Sequence, residues 1–82
     1  MKKSRHGKYQ NYKKRILEFL IRQKEDVTAT RISIKLNIPK SSCYDVLVKL
    51  RYFGYIDWIG EPQDAISMVM ITPRGEEYLN DL

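Results

Sequence analysis

Apolar positions repeat along this chain with two different periods. Between Tyr9 and Lys24, Tyr12, Ile16, Phe19, Leu20 and Gln23 recur at steps of three and four, and Leu17 and Ile21 widen the stripe. That spacing predicts an amphipathic helix, closed by a turn at Glu25-Asp26. Residues 31–42, RISIKLNIPKSS, instead put Ile32, Ile34, Leu36 and Ile38 on alternate positions, the pattern of a half-buried strand. The flanks oppose a strand. The Thr28 hydroxyl can accept a free N–H of a first helical turn, and Asn37 tolerates the left-handed conformation that ends a helix. Pro39 suits the first position of a second helix, where its missing N–H costs nothing. Read as a helix, Ile32 and Leu36 lie one turn apart and Ile38 follows the turn. The sequence therefore predicts one helix from Thr28 to about Leu36 and another from Pro39 or Lys40 to about Phe53. Cys43, Val46, Leu47 and Leu50 share one face of the second. Ile34 falls on the far side of its helix, so it is expected to be covered by the first helix or the N-terminal tail, or to belong to a partner surface.

Gly54 is a natural stop for the second helix of this pair. Tyr55–Ile59 is rich in β-formers, residues 60–64 (GEPQD) form a turn cluster, and Ile66–Ile71 reads as a returning strand. Together they predict a β-hairpin. Thr72 and Pro73 then start a short helix with acids in its first turn, carrying Tyr78, Leu79 and Leu82. The fold class is α+β, mainly α.

With 82 residues, one domain is expected: residues 1–8 as a flexible basic tail and 9–82 as the folded unit. No run is long and apolar enough to span a bilayer, so no membrane role is expected. The charged N-terminus has no apolar segment behind it, so a signal peptide is not expected either. The single cysteine, Cys43, cannot form an internal disulfide, which agrees with a reducing cytoplasm. One Cys and one His cannot build a structural zinc site, so no metal is expected.

The net charge of +5 is unevenly spread. Residues 1–24 carry a net +8, residues 25–51 a net +2 and residues 52–82 a net −5. One end can attract a polyanion and the other cannot. There is no Gly-rich phosphate loop, no paired carboxylates at an acid–base spacing and no nucleophile motif. Asp45 near Ser41 and Ser42 lacks the His that a triad requires. No catalytic residue, cofactor or enzyme activity is expected.

Residues 27–56, VTATRISIKLNIPKSSCYDVLVKLRYFGYI, resemble the winged helix-turn-helix family of transcriptional regulators. The residues that carry the resemblance are Val27, Thr28, Ile32, Ser33, Leu36, Asn37, Ile38, Ser41, Ser42, Leu47, Leu50, Gly54 and Ile56. The closing ITPRGEEYL, residues 71–79, is similar to the strand-to-helix exit of MarR- and PadR-like members. The resemblance implies a three-helix core, a two-stranded β-hairpin wing and a short C-terminal helix. It also implies a sequence-specific regulator of double-stranded DNA, repressor-like, in the cytoplasm and associated with the nucleoid when bound.

A helix-turn-helix needs a small residue where its helices cross, which Ser33 supplies. Its second helix must offer one face to the major groove, with N-terminal residues reaching base edges. That face here holds Lys40, Ser41, Ser42, Tyr44, Asp45, Val48 and Lys49. Lys40 is placed for a phosphate or a guanine edge, and Ser41 and Ser42 for phosphates or bases unless they merely cap the helix. Tyr44 is placed for a thymine methyl or a sugar unless it packs on a neighbouring element. Asp45 accepts from a cytosine amino group or pairs with Lys49 one turn on. Thr28, Thr30 and Arg31 are placed for backbone phosphates. Cys43 is most simply a small core residue.

The wing departs from the family habit. Residues 60–65 hold Glu61 and Asp64 and no base, so phosphates would repel it. The basic tail, with Lys2, Lys3, Arg5 and Lys8, is expected to anchor to backbone or minor groove instead. A homodimer is expected through the first helix (Leu17, Phe19, Ile21) and the C-terminal helix (Tyr78, Leu79, Leu82), unless those residues cover the domain's own core. The competing function is a winged-helix protein-interaction module, with the acidic wing and an exposed Ile34, Val48 and Trp58 facing a protein. RNA binding shares the charge but lacks paired exposed aromatics on a sheet.

Overall fold

The computed structural model describes residues 5–23, 25–60 and 67–82, with side chains from residue 11 onward. In chain order the elements are α1 (Arg5–Arg22), β1 (Val27–Thr28), α2 (Ala29–Leu36), α3 (Lys40–Tyr52), β2 (Ile56–Ile59), β3 (Met68–Ile71) and α4 (Pro73–Asn80). Lys2, Lys3 and the wing turn at 61–66, with Glu61, Asp64 and Ile66, lie outside the described residues, as do the side chains of Arg5 and Lys8.

The helix boundaries follow local backbone chemistry. Thr28 is extended (φ −81°, ψ 157°) and its Oγ1 accepts from the N–H of Arg31 at 3.1 Å, capping α2. At the other end Asn37 is left-handed (φ 56°, ψ 46°). There the N–H of Asn37 donates to the Ile34 carbonyl and that of Ile38 to the Ser33 carbonyl, and Ile38 is buried beneath the turn. This Schellman pair satisfies carbonyls that the helix leaves open. The end of α3 repeats the device: Gly54 takes φ 81°, its N–H donates to the Arg51 carbonyl, and the N–H of Tyr55 donates to the Leu50 carbonyl. Thr72 caps α4 by accepting from the N–H of Gly75 at 3.0 Å, with Pro73 in the first turn.

Two boundaries differ from the sequence expectation. α1 begins at Arg5, so residues 5–8, expected in the flexible tail, have helical backbone, which no hydrophobic period in the sequence marks. α1 also ends at Arg22 rather than Lys24. Pro39 stands just before α3 with an extended conformation (φ −53°, ψ 138°), and Lys40 is the first helical residue. The carbonyl of Pro39 accepts the first bond, from the N–H of Cys43 at 2.8 Å.

β1 is an addition. Val27 and Thr28, read only as the approach to a helix, pair antiparallel with Val69 and Met68, and the sheet order is β1-β3-β2. A two-residue strand is too short to show a period of its own and exists through its partner. The register lines up Val27, Val69 and Trp58 across the sheet, and all three are buried. In β2, Ile56 and Trp58 face inward and Asp57 and Ile59 outward.

These residues meet Ile16, Leu17 and Leu20 of α1, Ile32 of α2, and Cys43, Val46, Leu47 and Leu50 of α3 in a single core. Each large aliphatic side chain buried there stabilises the fold by roughly 1.5–3 kcal/mol. Two expectations are corrected and a third is narrowed. Leu17 is fully buried in its own core and is not available to a partner helix. Trp58 is only 7% exposed, and its Nε1–H donates to Ser67 Oγ at 2.9 Å, so it cannot face a protein partner. Ile34 is 71% exposed, so the first helix does not cover it.

Candidate nucleic-acid interface

The outward face of α3 is held in place from behind. Cys43, Val46, Leu47 and Leu50 are buried as one stripe, which fixes the rotation of the helix about its axis. Ser33, small enough for a close crossing between α2 and α3, is buried. Outward along its first three turns are Lys40, Ser41, Asp45, Val48 and Lys49, all exposed, with Ser42 and Tyr44 half-buried. Pro39 offers no side-chain cap, and Ser41, already inside the helix, does not occupy a capping position. No side chain caps the first turn of α3, beside the exposed Lys40, and a helix N-terminus of this kind favours anions.

Tyr44 is drawn away from a purely outward role. Its ring lies 5.6 Å from that of Trp58 at an interplanar angle of 58°, a tilted packing contact with β2. Thr28 is half-buried and occupied in capping α2, while Thr30 is half-buried and Arg31 is exposed on the first turn of that helix. The structure thus brings Lys40, Ser41, Ser42, Asp45 and Lys49 together on one helix. Arg31 and Thr30 sit on the preceding one, and the basic N-terminal side chains lie outside the described residues.

Sequence reasoning missed what several cations of α1 and α4 do. The Arg15 guanidinium donates from Nη2 to the carbonyl of Leu36, so α1 caps the C-terminal end of α2 beside the helix-turn-helix turn. Lys13 Nζ donates to Tyr78 Oη at 2.6 Å, and Arg74 lies 5.9 Å from the centre of the Tyr55 ring. Lys13 and Arg15 therefore hold positions inside the domain through neutral acceptors, which leaves their positive charge in place. No sequence signal marks these residues, because their partners are distant in the chain.

Burial pushes the Cys43 thiol up to about 11 from an ordinary 9.0, and its Sγ–H is directed at the Ala29 carbonyl 3.9 Å away. A protonated, enclosed thiol is a core residue and not a reactive one. Among the described residues no group of His, Cys, Asp or Glu could hold a metal, and no helix is long and apolar enough to cross a membrane.

The family model described as sugar-specific transcriptional regulator TrmB matches residues 10–73, which include the whole helix-turn-helix and the hairpin. The chain belongs to the TrmB family. This TrmB-family chain is also similar in structure to the PcaV transcriptional regulator of Streptomyces coelicolor, with a TM-score of 0.73 at 18% identity over 85% of this chain and 52% of that one. A MarR family regulator from Neisseria meningitidis gives 0.65 at 22% identity, over 90% of this chain and 54% of the other. A transcriptional regulator from Clostridium thermocellum gives 0.69 at 22% identity, over 98% and 84%. Among curated proteins none matches. The chain spans about half the length of the first two regulators, and at these identities the likeness is one of fold. Family and fold together make this a winged helix-turn-helix domain of a transcriptional regulator, and the family and its structural neighbours are regulators rather than enzymes.

Proposed function

We propose that this TrmB-family domain binds double-stranded DNA sequence-specifically, with α3 in the major groove. The observation that supports it most is the division of α3 into one fully buried stripe and an outward face that begins with Lys40, Ser41 and Ser42 at an uncapped N-terminal turn. A helix anchored so rigidly presents its side chains at fixed positions, which base readout requires. Lys40 and Lys49 supply charge to phosphates or guanine edges, and Ser41 and Ser42 donate to phosphates or bases. Asp45 accepts from a cytosine amino group. Arg31, with Thr28 and Thr30, meets the backbone from α2.

Tyr44, leaning on Trp58, contributes its edge to a sugar or methyl rather than a free ring. Residues 1–8, with Lys2, Lys3, Arg5 and Lys8, anchor the domain of residues 9–82 to backbone or minor groove. The protein acts as a repressor-like homodimer in the cytoplasm, through α1 and the C-terminal helix, where the half-exposed Ile21 of α1 and Leu82, just past the end of α4, remain after Leu17 is taken into the core. It carries no catalytic activity.

Selection from a random duplex pool, followed by anisotropy at rising salt, tests the reading. An enriched motif that survives at physiological salt is expected. Binding only at very low salt, with no preferred sequence, would overturn it. Sedimentation at micromolar concentration tests the dimer, and a clean monomer would remove it.

A further inference from the structure

The end of α3 opposite Lys40 carries a second surface that shares only Lys49 with the DNA reading. Tyr52 is 84% exposed and Phe53 52%, an unusual display of large aromatics on a small domain. They begin a continuous ladder of four rings. Tyr52 meets Phe53 edge-on at 5.3 Å, Phe53 stacks on Tyr55 at 5.9 Å, and Tyr55 stacks on Tyr78 of α4 at 4.1 Å with only 9° between the planes. Beside the ladder lies a recess of about 140 Å³, lined by Lys13, Lys49, Leu50, Phe53, Tyr55 and Tyr78. Leu50 and three aromatic rings line it together with the two lysines. Arg51 is exposed in the last turn of α3, and Arg74 lies over Tyr55 from the far side, next to Glu77 and Asp81.

We infer that this aromatic ladder with its cationic recess is a docking surface for an acidic polypeptide segment carrying one apolar anchor residue. The recess has the size of a single aromatic or branched aliphatic side chain, and aromatic residues with Arg on a surface are the usual composition of an interaction hot spot. The charge selects the partner. Lys13 and Lys49 attract carboxylates at the recess, whereas Glu77 and Asp81 repel them on the α4 side, so the segment runs across the α1–α3 edge. A nucleic acid is less suited to it. Tyr55 and Tyr78 already stack on each other, and Tyr52 lies roughly 18 Å along the helix from Lys40. The N-terminal half of α3 can therefore sit in a groove while its C-terminal end holds a protein.

The test uses the full chain and a synthetic pool of short peptides in which Asp and Glu surround a central Phe, Tyr, Trp, Leu or Ile. Retained peptides are mapped by amide chemical shifts. The expected result is perturbation centred on Phe53, Tyr55 and Tyr78, and loss of binding when the acids are replaced by Asn and Gln. Tyr52→Ala and Lys13→Gln should each weaken the complex about tenfold, the loss of one anchor. Both variants should still bind the duplex selected above. Phe53→Ala is a third variant, and if it fails to fold the other two still decide. Failure to retain any peptide, equal binding of the neutral peptides, or perturbations centred on Lys40–Ser42, as for a mere DNA mimic, overturns the inference. Loss of DNA binding by the unmodified chain would instead strike the DNA reading alone.

Discussion

Gly75, in the first turn of α4, lies directly against the backbone carbonyl of Tyr55: a Cβ at position 75 would come to 2.1 Å from that oxygen. The same carbonyl accepts the N–H of Thr72 at 3.1 Å, and the Thr72 hydroxyl donates to the Gly54 carbonyl at 2.7 Å. α4 is thus sutured to the turn that ends α3, and only glycine permits the approach.

Gly75→Ala should destabilise the domain by about 1–3 kcal/mol, since backbone must move to accept one methyl group. Denaturant unfolding measures it. A change within a few tenths of a kcal/mol would mean that α4 is not docked as described.

Asn37 holds the left-handed position between α2 and α3. Asn37→Gly should be neutral or slightly stabilising, while Asn37→Val should cost about 1–2 kcal/mol, because a branched Cβ clashes in that conformation. Thermal unfolding of the pair checks it, and equal midpoints would contradict the turn geometry.

Trp58 and Ser67 join β2 to the start of β3 by a buried bond. Trp58→Phe removes the donor and also loosens Tyr44 on α3. A loss of about 1–2 kcal/mol is expected, with a changed near-ultraviolet circular dichroism signal. An unchanged stability would show the bond to be dispensable.

The Cys43 thiol is protonated more firmly when folded than when unfolded, so its contribution to stability is complete below pH 9.0 and is lost as pH rises toward about 11. Cys43→Ala should flatten the fall in stability over that window, at the cost of a small cavity. In the native protein at neutral pH the thiol should resist alkylation until the chain is unfolded. Rapid labelling under native conditions would refute its enclosure.

Lys40 is exposed at the first turn of α3. Lys40→Ala should weaken DNA binding, and if Lys40 meets a phosphate the loss should be similar for all sequences, with the salt slope reduced by about one. Deleting residues 1–8 should lower the slope further. An unchanged slope after the deletion would dismiss the tail as an anchor.

Read from the sequence alone, the chain's caps were almost entirely legible. Thr28, Asn37, Gly54 and Thr72 each end or begin an element as their local chemistry requires, because a cap is decided by hydrogen bonds within a few residues. The same holds for the buried stripe of α3, since a helical face is set by spacing. The outward face of α3 followed by subtraction. Tertiary structure alone decided the rest. Val27 and Thr28 are a strand only because β3 lies beside them, and Leu17 and Trp58 are interior only because other elements close over them. Tyr44 leans on a ring fourteen positions away, and Arg15 and Lys13 spend their hydrogen bonds on Leu36 and Tyr78. Those pairings join residues far apart in sequence, and no local spacing encodes which distant neighbour a side chain will meet.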